Sequence, residues 1–302
     1  MTDSAFSPHL PWIEPIYGLP VAFPPVASAW GPDSPAAGLL AAGGDLQVPT
    51  LLAAYSQGIF PWYSDGQPIL WWSPDPRMVL ALDNFKLHRS LRKTLQRFAI
   101  TPGCEVRIDH DFTAVINACA RSPRDGQGGT WIVQDMIDAY TALHHAGHAH
   151  SVETWVDGKL AGGLYCTALG AAVFGESMFS RQTDASKIAL CALVALCRAH
   201  NLAGNLVDDL PDNLADNLAH NLAHNQQRNQ QHSQQDKQQH NQTQGATQGV
   251  THIDCQQNTS HLASLGAAEM PRQAFCAHVQ KATLNPAPTW QFDPVYWQLL
   301  GV

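Results

Sequence analysis

The dipeptide Asp157-Gly158 lies between two apolar runs and constrains the fold of this chain more than any other feature. Asp-Gly between hydrophobic segments is a strong signal for a tight β-hairpin, because a type I′ turn needs positive φ at both central residues. The dipeptide predicts paired strands at Ser151–Val156 and Leu160–Cys166. A third apolar run, Ala171–Phe179, predicts another strand directly after the hairpin.

Other elements surround these three strands. Asp184 is a suitable cap for a helix that runs to about His200. The remaining predicted elements are a strand at Cys104–Ile108, helices at Phe112–Ala120 and Trp131–His145, a strand at His252–Cys255, and helices at Thr259–Leu265 and Pro271–Lys281. This order of strands and helices predicts an α+β protein, with residues 83–302 as its C-terminal domain.

Residues 1–82 differ in composition and are predicted to form a separate, small N-terminal α/β domain. Thirteen of the 20 prolines and five of the nine tryptophans lie in the first 76 residues. The segment contains one clear helix, which begins near Pro49 and ends at Gly58, because proline favours the first helical turn and glycine the end.

A Gln/Asn-rich tract interrupts the C-terminal domain at residues 203–250. Asn-Leu-Ala recurs at 213, 217 and 221, and 12 of the 18 residues from Asn225 to Gln242 are Gln or Asn. Such a composition buries too little apolar surface to offset the entropy of ordering the chain, so we predict a disordered insertion.

Several classes of protein are disfavoured by charge and by cysteine and histidine spacing. The net charge of −8 argues against a generic nucleic-acid coat protein. Seven scattered cysteines without a Cys-x-x-Cys pair indicate reduced thiols, and the N-terminus has no signal-peptide pattern, so we expect a cytoplasmic protein. The longest apolar run, Ile188–Cys197, is too short to span a bilayer, and we expect no membrane partner. The histidines between His144 and His150 lack a metal-ligand pattern, and we expect no metal.

Glu176 is the strongest single candidate for chemistry. It lies within the apolar strand Val173–Phe179, where a carboxylate would be desolvated and would need a partner or a task. Gly175 beside it permits the close approach of a ligand or of another backbone. The residues alone divide about evenly between a catalytic role and a structural, hydrogen-bonded carboxylate.

Asp254 and Gln256 form a second candidate pair. Residues two apart in an extended strand point to the same face, so an acid and an amide lie side by side at the end of a predicted strand. Such a pair can orient an amine or a water molecule. The alternative is a strand terminus with capping polar side chains.

The last candidate functional region is a basic segment at residues 84–97. Leu87, Leu91 and Leu95 fall on one side of the predicted helix. The opposite side carries five cations and no acid: Lys86, Arg89, Arg92, Lys93 and Arg97. Within an acidic chain this favours an anionic partner such as a phosphate backbone, although charge runs are often only solvated surface.

These residues lie in longer stretches that resemble the leucyl/phenylalanyl-tRNA–protein transferase family. The matching stretches follow the order of the family from about residue 37 to 275: Gly38-Leu39-Leu40, Gly43-Gly44-Asp45-Leu46, Gly58-Ile59-Phe60-Pro61-Trp62, Trp71-Trp72-Ser73-Pro74-Asp75-Pro76-Arg77, Gly129-Thr130-Trp131-Ile132, Gly147-His148-Ala149-His150-Ser151, Phe174-Gly175-Glu176-Ser177-Met178-Phe179-Ser180, Ala185-Ser186-Lys187, Ile253-Asp254-Cys255-Gln256 and Ser264-Leu265-Gly266-Ala267. The insertion at 203–250 departs from the family pattern.

The resemblance implies both a fold and an activity. The C-terminal domain would be acetyltransferase-like (GNAT-type), with a central mixed sheet flanked by helices. The enzyme would move leucine or phenylalanine, and less readily methionine, from aminoacyl-tRNA onto proteins that begin with Arg or Lys, and so mark them for N-end rule degradation. It would need no cofactor and would act as a monomer.

The resemblance also implies roles for individual residues. Glu176, Asp254 and Gln256 would form the catalytic centre, and the basic segment would meet the tRNA body. The aminoacyl side chain and the terminal adenosine would contact Trp62, Trp131, Leu164, Phe174, Gly175 and Met178. The competing hypotheses are a coenzyme A-dependent N-acyltransferase of the same fold, disfavoured because residues 181–186 lack glycine, and a non-catalytic tRNA-binding module.

Overall fold

The computed structural model describes residues 10–15, 18–122, 132–204 and 249–302, and within them the strands form two mixed sheets. The strands are β1 (Trp12–Ile13), β2 (Leu39–Gly43), β3 (Phe60–Pro61), β4 (Leu70–Trp72), β5 (Arg77–Ala81), β6 (Cys104–Ile108), β7 (Ala149–Val156), β8 (Lys159–Leu169), β9 (Ala172–Ser180), β10 (His252–Gln256) and β11 (Ala268–Met270). With the helices below, this is a mixed α+β protein, as the sequence predicts.

The larger sheet has the strand order β11-β5-β10-β9-β8-β7-β6. Strands β9 and β10 are parallel, and all other neighbours in this sheet are antiparallel. The predicted hairpin between β7 and β8 is confirmed, because Asp157 and Gly158 have φ of 49° and 70°. Strand β8 is buried along almost its whole length, so it forms the centre of the core.

The helices are α1 (Val48–Tyr55), α2 (Arg89–Ile100), α3 (Phe112–Arg121), α4 (Gln134–His145), α5 (Ala185–Gly204), α6 (Ser260–Ser264) and α7 (Arg272–Ala282), with 3-10 turns at Val26–Ser28, Leu82–Asn84 and Pro294–Leu300. Helix α5 begins very close to the sheet. A Cβ on Gly162 of β8 would lie 2.6 Å from the Cβ of Ala185, so glycine is needed at this contact.

Helix α5 is also the longest helix among the described residues. By length and composition, Ala185–Ala203 is apolar enough to cross a membrane, but 67% of the apolar window is buried inside the protein. The helix packs against β7, β8 and β9, which is the environment of a core helix. Its hydrophobicity therefore reflects burial against the larger sheet.

The smaller sheet has the order β1-β2-β4-β3 and packs around the fully buried Trp71. Helix α1 follows the predicted bounds, with proline in its first turn and Gly58 just beyond its end. Strand β5 precedes the predicted boundary at residue 82 but hydrogen-bonds within the larger sheet. The division at residue 82 stays a prediction.

Two helices begin later than the sequence predicts, and two strands of the larger sheet, β5 and β11, were not predicted. The basic helix runs over Arg89–Ile100 and not over 84–97, because the backbone N–H of Lys86 donates to the carbonyl of Leu265 and holds this segment outside the helix. The next long helix begins at Gln134 and not at Trp131. Strand β11, at the edge of the larger sheet, was not predicted at all. The predicted insertion falls mainly on 205–248, outside the described residues.

Candidate active site

A β-bulge places Glu176 at the site. Strand β8 pairs Tyr165 with Ser177 and Cys166 with Gly175, which leaves Glu176 as an extra residue on β9. Bulges redirect side chains and are frequent beside active sites. Side chains of a regular strand alternate between the two faces of the sheet. The bulge interrupts this alternation, so the residues before Glu176 and those after it follow different alternations.

The Glu176 carboxylate is buried and surrounded by neutral donors. Glu176 is only 8% exposed. One oxygen accepts a hydrogen bond of 2.6 Å from the Tyr55 hydroxyl, and the other accepts one of 2.9 Å from the Gln256 side-chain amide. The Tyr55 hydroxyl also contacts the hydroxyl of Tyr140, and both tyrosines are fully buried. A hydrogen-bonded chain thus extends from α4 through α1 to β9 and β10.

Burial controls the protonation of this carboxyl group. Desolvation raises the pKa of Glu176 from 4.5 to about 7, although the hydrogen bonds from Tyr55 and Gln256 oppose the rise. Burial and the nearby carboxylate also raise the pKa of Tyr55 well above its ordinary value, so this tyrosine remains a neutral donor. Glu176 therefore exchanges its proton near neutral pH, which suits a group that handles an amine.

Gln256 lies where strand β10 loses its regular geometry. Its φ is 59°, and the pairing with β5 shifts register between Asp254 and Gln256. The irregularity turns the side-chain amide of Gln256 toward Glu176. Because a carboxylate only accepts hydrogen bonds, the amide NH₂ faces Glu176 and the amide carbonyl remains available for another donor.

Asp254 has a different environment from the one predicted for it. Its two oxygens accept hydrogen bonds of 2.8 and 2.6 Å from Nε and one terminal nitrogen of Arg77. Both side chains of this ion pair are 1% exposed. The same carboxylate accepts a hydrogen bond of 2.8 Å from the backbone N–H of Gln256. Asp254 therefore holds the backbone of Gln256, whereas the side-chain amide is held by Glu176.

Aromatic rings enclose the partner of Asp254. The Arg77 guanidinium lies 4.6 Å from the ring centroids of both Phe60 and Phe275, and it donates to the carbonyl of Gly58 at 3.2 Å. A planar guanidinium with two oxygen partners and two aromatic faces is well satisfied inside a protein. The ion pair joins β5 to β10 and fixes the strand that carries Gln256.

A cavity of about 320 Å³ opens beside Glu176. Four of the predicted substrate-binding residues line it, together with the three predicted catalytic residues: Trp62, Leu164, Gly175, Met178, Glu176, Asp254 and Gln256. The wall is completed by apolar residues of α5 and β10, among them Leu190, Leu193 and Ile253. The cavity therefore joins an apolar wall to a few polar groups, which is typical of a small-molecule site.

Among the described residues, one predicted binding residue, Phe174, does not line this cavity. Phe174 pairs with Thr167, whereas Met178 pairs with Leu164, so the bulge puts Phe174 and Met178 on opposite faces of β9. The Phe174 ring lies 5.0 Å from the Tyr55 ring, where it supports the partner of Glu176 from behind. Trp131 lies outside the described residues.

The five predicted tRNA-binding cations divide into two groups. Arg89, Lys93 and Arg97 are exposed and follow one another at intervals of four along α2, so they form one row. Lys86 is also exposed but precedes the helix. Arg92 instead donates hydrogen bonds of 2.7 Å to the carbonyls of Leu300 and Gly301, near the end of the chain.

The histidines at 144–150 take structural positions. His150 contacts a carboxylate oxygen of Asp109 at 2.7 Å and stacks on Trp290, and Nδ1 of His144 lies 2.8 Å from the carbonyl of Ala149. In the ranges that the structure describes, no group of three or more His, Cys, Asp or Glu residues is arranged to hold a metal ion.

Three residues of the site were not assigned a role from the sequence. Arg77 is a charged residue in the apolar strand Arg77–Ala81, and the argument that identified Glu176 could have identified it. Tyr55 and Tyr140 gave no such signal, because a tyrosine on the apolar face of a helix usually belongs to the core.

Comparisons with known proteins point to one family of enzymes. The family model described as leucyl/phenylalanyl-tRNA protein transferase matches residues 79–215, and the model of its N-terminal domain matches residues 44–75. A protein named leucyl/phenylalanyl-tRNA–protein transferase from Polaromonas sp. (strain JS666) is 54% identical over 91% of this chain and 89% of its own length. Proteins of the same name from Albidiferax ferrireducens and Burkholderia multivorans are 51% and 49% identical, over 98% and 94% of this chain and 96% and 91% of their own lengths.

Proposed function

This chain belongs to the leucyl/phenylalanyl-tRNA–protein transferase family, and we propose that it uses Glu176, Gln256 and Asp254 to transfer an aminoacyl group from tRNA to a protein. It is an aminoacyltransferase. The donors are tRNAs charged with leucine or phenylalanine, and less readily methionine. The acceptors are proteins that begin with Arg or Lys, which the transfer marks for N-end rule degradation.

One observation carries the assignment of the catalytic centre. Glu176 is a buried carboxylate at the wall of an apolar cavity, and its two hydrogen bonds come from neutral groups, Tyr55 and Gln256. A buried carboxylate without a cationic partner is costly, so its retention favours a role with a cationic substrate group. The attacking α-ammonium group of an acceptor supplies such a cation.

The reaction requires little from the protein beyond placement. The α-amino nitrogen forms a bond to the ester carbonyl carbon, the bond from that carbon to the ribose oxygen breaks, and the nitrogen loses one proton while the ribose oxygen gains one. An α-amine has an ordinary pKa near 8, so a useful fraction is neutral at pH 7. Glu176 receives the ammonium, and the Gln256 carbonyl accepts a hydrogen bond from the amine as it attacks.

Asp254 acts one step away from the reacting atoms. Both of its oxygens already accept hydrogen bonds, from Arg77 and from the backbone N–H of Gln256, and its side chain is 1% exposed, so we assign it no contact with the substrate. Its contribution is to hold the backbone of Gln256 in the irregular conformation that turns the amide toward Glu176. Positioning of this kind accounts for a large share of many enzymatic rate enhancements.

The cavity wall provides the donor subsite. Leu164 and Met178 form a cross-strand pair on adjacent strands and line the cavity together. A narrow apolar slot suits leucine, phenylalanine and methionine, which are unbranched at Cβ, whereas Cβ-branched side chains would meet its walls. Trp62 and Trp131 supply aromatic faces for the terminal adenosine, and Gly175 allows the ester to approach the sheet.

The exposed row on α2 supplies the tRNA contact. The row consists of Arg89, Lys93 and Arg97, with Lys86 before them. In an otherwise acidic chain, this concentration of positive charge favours binding to a polyanion such as tRNA.

The chain works as a cytoplasmic monomer without a metal or cofactor. Its C-terminal domain, residues 83–302, has an acetyltransferase-like fold, and residues 1–82 form the smaller domain that brings Tyr55 and Trp62 to the site.

Transfer of labelled leucine from Leu-tRNA to peptides that begin with Arg, Lys or Ala tests this function. The unmodified protein should act on the first two peptides. Glu176→Gln should lower kcat by roughly a hundredfold or more, the usual range for a lost proton-handling group, with unchanged tRNA binding. Glu105→Gln, on the edge strand β6, is the matched control. Full activity of Glu176→Gln, or acyl transfer from coenzyme A, would contradict the proposal.

A further inference from the structure

A second cavity of about 290 Å³ adjoins the donor cavity. The two cavities share Trp62, Gln256 and Gln257 in their walls, so they meet at the proposed catalytic amide. The donor cavity contains the buried Glu176 and an apolar wall. The second cavity is lined by tryptophan rings, prolines and polar side chains, and the proposed mechanism leaves it without an occupant.

The aromatic part of this second cavity is rigid. The rings of Trp62 and Trp72 lie 5.4 Å apart with planes inclined by 57°. The Trp72 indole N–H donates to the carbonyl of Trp62 at 2.6 Å, which fixes the two indoles relative to each other. The face of an indole attracts a guanidinium or an ammonium group, more strongly than the face of any other side chain.

One carboxylate adds a negative charge to the same wall. Glu269 lies on the edge strand β11 opposite Met78 of β5, and both residues line the cavity. The Asn258 side-chain amide donates to Glu269 at 2.9 Å and positions it. Among the described residues, no Arg, Lys or His lies within ion-pair distance of Glu269.

The neighbouring acid differs in this respect. Asp75 lies between the two prolines of the cavity wall, but it accepts a hydrogen bond of 3.0 Å from the backbone of Arg272, whose guanidinium is 3.9 Å away. The charge of Asp75 is therefore partly balanced by this chain, whereas the charge of Glu269 is not. The second cavity combines an unbalanced carboxylate with fixed indole faces, which is a site for an organic cation.

We propose that the second cavity binds the cationic side chain of the acceptor's N-terminal residue, with Glu269 as the residue that recognises its charge. The assignment rests on the proposed function. Arginine and lysine carry their charge several bonds from the α-amine, so the charge can occupy the second cavity while the amine reaches Gln256 and the ester in the first. An N-terminal residue without a distant cation would leave Glu269 without an ionic partner.

The decisive experiment compares arginine with citrulline, its neutral isostere, as the first residue of one acceptor peptide. The kcat/KM for both peptides is measured with Leu-tRNA for the unmodified protein, Glu269→Gln, Glu269→Asp and Glu105→Gln. We expect the unmodified protein to prefer arginine by roughly tenfold or more, as for a hydrogen bond between charged groups. Glu269→Gln should bring this ratio close to one and leave the citrulline rate within about twofold.

The other variants test whether charge is what matters. Glu269→Asp should retain part of the preference for arginine, and Glu105→Gln all of it. A preference that survives Glu269→Gln would overturn the assignment. So would a Glu269→Gln variant that alters only the KM for Leu-tRNA, because the cavity would then hold part of the donor. Failure of the unmodified protein to act on the arginine peptide would instead refute the proposed function, and the acceptor site with it.

Discussion

Asp254 and Glu176 lie on adjacent parallel strands, and both carboxylates are buried, yet the protein treats them in opposite ways. Asp254 accepts two hydrogen bonds from one guanidinium, and aromatic rings enclose that cation. Glu176 receives its hydrogen bonds from a phenol and an amide, neither of which carries charge.

The difference separates a structural carboxylate from a functional one. A paired carboxylate holds two strands together, but it cannot accept a new cation without losing its own. A carboxylate with neutral partners has a raised pKa and retains its attraction for a cation that arrives with the substrate. Burial alone would have placed the two residues in one class. The charge of the partner distinguishes them.

The largest effect should come from removing the partner of Asp254. Arg77→Met leaves a buried carboxylate without its cation, which typically costs about 3–5 kcal/mol in the free energy of unfolding. Urea unfolding monitored by circular dichroism measures it. Lys187→Met is the matched control, because it removes a cation from the partly exposed ion pair with Asp184 and should cost about 1 kcal/mol or less. Equal losses in the two variants would show that the Arg77 pair contributes no more than a surface pair.

Glu176→Gln should increase the free energy of unfolding, and the size of this increase should depend on pH. The folded state holds the Glu176 proton up to a pKa of about 7, whereas the unfolded state releases it near 4.5. The unmodified protein therefore loses stability, relative to the Gln variant, as the pH rises through that window, by about 3 kcal/mol in total. Unfolding free energies at pH 4.5, 6 and 8 test this. A difference between the two proteins that is constant with pH would show that Glu176 is not held protonated by burial.

Tyr55→Phe should change the working pH of the site. The Tyr55 hydroxyl lowers the pKa of Glu176, so its removal raises that pKa and moves the acidic limb of the kcat/KM profile to higher pH. At pH 7 the rate should fall roughly tenfold, with recovery at pH 9. Tyr63→Phe is the control, because the buried Tyr63 hydroxyl has no hydrogen-bond partner among the described residues. A fall of equal size at every pH would indicate that Tyr55 only supports packing.

The smallest effect is expected from the cations of α2, which divide into exposed residues and one residue with partners inside the protein. Arg89 and Lys93 are exposed, whereas Arg92 is bonded to carbonyls near the end of the chain. Arg89→Glu and Lys93→Glu should each raise the KM for Leu-tRNA severalfold and reduce its salt dependence by about one counterion. A minimal aminoacyl-adenosine donor should be unaffected. Arg92→Gln should instead lower stability and alter both donors alike. If all three variants affect both donors equally, the row on α2 is structural.

The sequence alone determined most of the secondary structure of the C-terminal part and the polar residues that meet at the cavity. The Asp157-Gly158 turn, the three strands around it, the capped helix α3 and the apolar helix α5 depend on local geometry and on apolar periodicity, both of which are present in short segments. A carboxylate within the apolar run Val173–Phe179 identified Glu176 for the same reason. Strand β11 and the true start of α2 escaped prediction, because distant backbone hydrogen bonds decide them.

Only the tertiary structure decided which partner each charged group receives. The bulge at Glu176 interrupts the alternation of side chains along β9, so Phe174 lies outside the cavity. The positive φ of Gln256 directs its amide toward Glu176. Arg77 is 177 residues from Asp254 along the chain, and Tyr55 is 121 residues from Glu176. Electrostatic interactions depend on distance in space and on burial, and a position in the sequence specifies neither.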